Sequence, residues 1–162
     1  MQNLHVINYN DLSAEELCLY LEERHYVQVS ADLSSVKRYI DNLINSDCND
    51  QISLLQVLFI KLSDEVRQLF IKDKILLFPH IKNHRQSGIN LAPINLLHQR
   101  ISTILQKLRG LMNNYVQQPS WSSNLKICCN ELYALEENIR MTLYIKENYL
   151  WTKIKNVISD EF

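Results

Sequence analysis

Five histidines and four cysteines are the side chains from which metal or nucleophile chemistry would have to be built. Glu22 and His25 form the one Glu-x-x-His in the chain, a spacing that puts both groups on one helix face. A ferritin-like di-iron centre needs two such pairs and two further glutamates, and His98 has Asn95 where its acid would stand. His80 and His84 have the i, i+4 spacing that holds zinc or nickel on a helix surface. They follow Pro79 at a helix end, where the dipole favours histidine without any metal, so surface residues are the preferred reading. His5 lies in an N-terminal tail.

The remaining candidates are weaker. Cys18, Cys48, Cys128 and Cys129 show no CxxC pair and no zinc-like spacing, which reads as free or buried thiols. Cys128 and Cys129 are helix neighbours pointing about 100° apart, a poor disulfide geometry. With Gly88 and Gly110 as the only glycines, no phosphate-cradling loop exists. No Ser/His/Asp or Cys/His set stands out. The sequence predicts no enzyme.

The elements that would position such groups are helices. Two glycines and three prolines in 162 residues are too few breakers for a β-sandwich. The first helix is expected from Ser13 to Asn45, opened by a Ser13–Glu16 capping box, with Leu17, Tyr20, Leu21, Val36, Tyr39, Ile40 and Leu43 inward. A second spans Gln51 to Asn83, carrying Leu54, Leu55, Leu58, Leu62, Val66, Leu69, Phe70, Asp73 and Leu77 on one stripe, with Pro79 as a possible bend. A third begins at Ala92, with Pro93 in its first turn, and runs towards the stop at Pro119. A fourth runs from Ser120 or Ser122 to about Ile158, with Leu125, Leu132, Leu135, Ile139, Leu143, Glu147, Leu150 and Ile154 inward. Together they predict an all-α, antiparallel up-down-up-down four-helix bundle over residues 12–158, between tails of residues 1–11 and 159–162.

Composition narrows the function classes. The net charge is −1, with hydrophobic residues at 46% and charged residues at 22%, as in a folded globular chain. No basic stripe interleaved with aromatics supports nucleic-acid binding, and no apolar run approaches a membrane span. The first residues lack the pattern of a signal peptide, so a cytoplasmic protein is expected. Trp121 and Trp151 are read as exposed apolar residues, leaving a protein partner or self-association open. Met112, Met141, Tyr133, Tyr144 and Tyr149 are read as core and rim packing.

Four stretches, in order, resemble a known family. "DLSAEELCLYLEERHY" is similar to an opening helix reading "EELIDYIVERHH", and "FIKDKILLFPHI" to "HMxKEExxLFPxI". "INLAPINLLHQRISTILQKLRGL" is similar to "APIxxMxxEHxxxxxLLxxLR", and "ELYALEENIRMTLYIKENYLW" to "LxxLExDLxxHIHLENxxLFP". These are motifs of the hemerythrin-like domain of the iron–sulfur cluster repair (repair of iron centres) di-iron proteins. The resemblance covers nearly the whole chain after residue 11. It implies a hemerythrin-like bundle, and iron as the cofactor if any is bound.

Carried over position by position, the ligand set is degenerate. Of the family's ligands, His98 and Glu147 match, and Asp73 is a shortened acid. The other histidines fall on Tyr26, near Asp47, on Leu69 and on Leu143. Leu69 and Leu143 each stand four residues before an acid of the set, where leucine contributes about 1.5–3 kcal/mol of burial instead of a metal bond. Asp73, His98 and Glu147 are thus expected as remnant metal ligands with no cofactor between them. His98, drawn towards its charged form, would bridge the two acids, and Tyr26 would add a hydroxyl. The expected function is that of a non-enzymatic binding or regulatory protein. The alternative is an iron-binding cluster-repair protein acting under oxidative or nitrosative stress.

Overall fold

Ser13 accepts a hydrogen bond from the Glu16 backbone N–H at 3.1 Å, while the Glu16 carboxylate accepts from the Ser13 N–H at 3.4 Å. This capping box opens the first of four helices in a computed structural model that describes residues 7–83 and 89–154. Helix α1 occupies residues 14–46 and α2 residues 50–82. Helix α3 spans Ala92–Leu111, and α4 occupies residues 123–154. Ser13→Ala is expected to lower stability by about 1 kcal/mol, read from urea unfolding; Ser13→Asp should retain most of it.

Each helix packs on the next, and α4 closes the ring onto α1. Side-chain pairs fix their directions. Gln51, at the start of α2, donates to the Leu111 carbonyl at the end of α3 at 3.1 Å. Lys146, late in α4, and Tyr26, early in α1, both meet Asp73, late in α2. Neighbouring helices are therefore antiparallel, as the breaker spacing predicts. Among the described residues no helix is long and apolar enough to cross a membrane.

The core follows the expected stripes, with three corrections. Leu54 is exposed rather than inward, and so is Glu147. Trp151 is only 7% exposed, because its indole N–H donates to Asn95 Oδ1 at 3.1 Å and its ring stacks near His98; it is core, not a docking residue. Of the expected rim and core residues, Met112 is buried and Tyr149 half-buried, while Met141, Tyr133 and Tyr144 are exposed. Ser122, rather than Ser120, caps α4. The far end of that helix near Ile158, like His5, His84 and Gly88, lies outside the described residues.

Helix α3 stops well before Pro119. Asn113, Asn114 and Tyr115 form a tight turn with φ of 52°, 55° and 61°. Asparagine tolerates this left-handed region better than most side chains. Tyr115 is held there by the Arg109 guanidinium, 5.1 Å over its ring, and by an edge contact with Tyr133.

Three of the four helices are interrupted at one level. Leu21–Tyr26 in α1, Asp73–Leu77 in α2 and Lys146–Leu150 in α4 wind as π-helix. A π turn inserts a residue into the helix and is frequent at functional sites. Each of these segments contributes one member of a single buried polar cluster.

Candidate functional site

Tyr26, Asp73 and Lys146 meet in the bundle core. Lys146 Nζ and the Tyr26 hydroxyl both donate to Asp73 Oδ2, each at 2.5 Å. Asp73 and Lys146 are fully buried and Tyr26 is 1% exposed. Tyr26 is fixed by stacking flat on Phe70, with ring centroids 3.9 Å apart. The Lys146 ammonium lies 5.4 Å over the Trp151 ring, a favourable place for a desolvated cation.

Burial sets the protonation behaviour of the cluster. It pulls the Lys146 ammonium below its ordinary range, and the Asp73 carboxylate opposes that shift. Burial, followed by the charge of Asp73, holds the Tyr26 phenol well above its ordinary range, so tyrosine is the donor. An isolated charge in such a place is very costly, whereas a lysine and a carboxylate in contact compensate each other.

His98 belongs to a neighbouring pair. Its Nδ1–H donates to Glu147 Oε1 at 2.8 Å, leaving Nε2 as an acceptor with no partner in the core. Burial first, and then the nearby Lys146 charge, push its pKa down to about 2. The exposed Glu147 carboxylate is screened by water and does not reverse this. The expected charged His98 bridging both acids is therefore corrected. His98 is neutral and reaches Glu147, while Asp73 takes its positive charge from Lys146. Tyr26 supplies its hydroxyl to Asp73 as expected. His25, its sequence neighbour, turns away to the edge of the Tyr20 ring.

Iron of the kind implied by the resemblance does not fit these residues as they stand. Asp73 Oδ2 is already shared by an ammonium and a phenol. Leu69 and Leu143 are buried where family ligands would stand. Among the described residues no group of three or more histidines, cysteines, aspartates and glutamates could hold a metal ion.

Lys146 was missed in the sequence because a lysine beside a glutamate in a helix reads as a solvated face. Its signal was positional: it stands three residues after Leu143 and four before Leu150, both buried.

A second buried charge lies towards the opposite end. Glu136 is fully buried in α4 and accepts from Arg109 of α3 and from Arg140 one turn along, the latter at 3.1 Å. Both guanidinium groups keep access to water, so this pair joins α3 to α4 without isolating a charge. The cysteines are free, and Cys18, Cys128 and Cys129 are buried. Burial raises the Cys18 and Cys128 thiols to about 12, which makes them poor nucleophiles.

Comparison of the sequence with family models gives no match, and comparison with curated proteins gives none either.

Proposed function

We propose that this chain is a hemerythrin-like bundle whose di-iron centre has been replaced by a tethered cation, and that it works as a non-enzymatic binding or regulatory protein. The observation that carries this reading is the contact of Lys146 Nζ with Asp73 Oδ2 at 2.5 Å in the sealed core. Where the resemblance implies a ferric or ferrous ion between carboxylates, the chain's own ammonium supplies the positive charge. An ammonium cannot change redox state or bind oxygen. What such a cluster contributes is a fixed geometry: it ties α1, α2 and α4 together at one level. A bundle held rigid in this way acts through its outer surface.

Metal analysis tests the reading directly. Protein purified anaerobically from iron-replete cells is expected to carry iron far below one ion per chain and to show no oxo-bridged di-iron absorption band. Two irons per chain would overturn it and establish the cluster-repair alternative.

A further inference from the structure

The outer face of α2 is apolar at both ends and charged in the middle. Ile60 and Ile71 are 51% and 55% exposed, with Val57 and Ile75 beyond them at 49% and 65%. Between the two isoleucines, Asp64 and Arg67 stand one turn apart, both exposed. Neither makes a hydrogen bond or ion pair with another described residue. Residues 50–72 are regular α-helix, so Ile60 and Ile71 are about 16 Å apart along one side.

We propose that this face pairs with the same face of a second copy of the chain, antiparallel, about a two-fold axis passing between Asp64 and Arg67. The order of the residues selects that occupant. Apolar, acidic, basic, apolar is a pattern complementary to itself when reversed, as an isologous interface requires. The rotation sets Asp64 of each copy against Arg67 of the other, Ile60 against Ile71, and Val57 against the turn containing Ile75.

The surface beside Ile60 is shaped to match. A cleft of about 240 Å³ runs between α1 and α2, with Ile40 and Phe59 at its floor and Lys37, Asp41, Gln56, Ser63, Asp64 and Arg67 along its walls. It lies where the rotation delivers Ile71 of the second copy. Each copy thus offers one apolar knob, Ile71, and one cleft with an apolar floor and charged walls. The Tyr26–Asp73–Lys146 cluster plays no part in this inference.

Sedimentation velocity over a concentration series, on the full chain, tests it. The chain should pass from monomer to dimer, and more weakly at high salt. D64R and R67D should each weaken the dimer by about tenfold or more, because each sets like charges face to face twice. The double swap D64R/R67D should restore association, and I71D should abolish it. Circular dichroism should show all four variants folded, since every site is exposed. A chain that stays monomeric throughout overturns the proposal. So does a dimer indifferent to both single reversals, or a double swap that fails to restore it.

Discussion

Replacing Lys146 by methionine is expected to destabilise the protein by about 3–5 kcal/mol, the cost of leaving one member of a buried ion pair without its partner. For a chain of this size that is a fall of roughly 10–15 °C in Tm, and it is a large part of the whole stability of an ordinary domain. The packing change is small, because methionine fills most of the same volume. The cost arises at Asp73, whose carboxylate would keep only the Tyr26 hydroxyl. Converting Asp73 to leucine in the same chain removes the charge itself. The pair Asp73→Leu with Lys146→Met should recover most of the stability, and adding Tyr26→Phe should recover the rest by removing the orphaned hydroxyl, a group worth about 1–3 kcal/mol when unsatisfied. Urea unfolding of the four proteins checks the series. A Lys146→Met variant within 1 kcal/mol of the parent, by an order-of-magnitude standard, would mean that the carboxylate does not depend on the lysine.

This expectation marks where sequence reading succeeded and where it stopped. The helices were legible because apolar residues recur at three and four positions, and because Ser13, Pro93 and Ser122 stand where helix starts need them. Asp73 was legible too, as a polar residue on an inward stripe, and Tyr26 through the family resemblance, which sets a ligand at its position. Which of Lys146 and Glu147 turns inward was not. From Leu143, one is three residues on and the other four, and both spacings share a face in a regular helix. The π turn that begins at Lys146 decides between them, and no propensity announces a π turn. General expectation also points the wrong way, since lysine is rarely buried unless paired. Its partner lies 73 residues earlier in the chain, out of reach of any local pattern. The same limit explains His98. Its inward position was readable, but its charge state depends on an ammonium that only the fold brings near.

Acid should therefore weaken this protein from about pH 6.5 downwards, with His98 as a principal source. In the unfolded chain a histidine takes its proton near pH 6.5. In the folded chain burial and the Lys146 charge hold His98 down to about 2. Between those values the unfolded state binds the extra proton, so stability is lost as the pH falls, at about 1.4 kcal/mol per pH unit. From pH 6.5 to 4.5 the loss is about 2 kcal/mol, because the slope reaches its full value only below the unfolded pKa. His25, whose pKa burial also lowers, adds in the same direction. The geometry gives the cause: protonation would put an N–H at Nε2, which has no acceptor in the core. His98→Gln removes the titrating ring, and the dependence of urea stability on pH between 6.5 and 4.5 should flatten towards what His25 and the carboxylates contribute. Histidine ring signals by NMR should show His98 still neutral at pH 4.5 in the folded protein. A His98 ring that titrates near pH 6.5 in the folded state, or a slope unchanged in His98→Gln, would break the link. In Lys146→Met the repelling ammonium is gone, so the folded-state pKa of His98 should rise and its share of the acid loss should shrink. Lys146 thus acts on both halves of the cluster: it neutralises Asp73 by contact and keeps His98 neutral by its field.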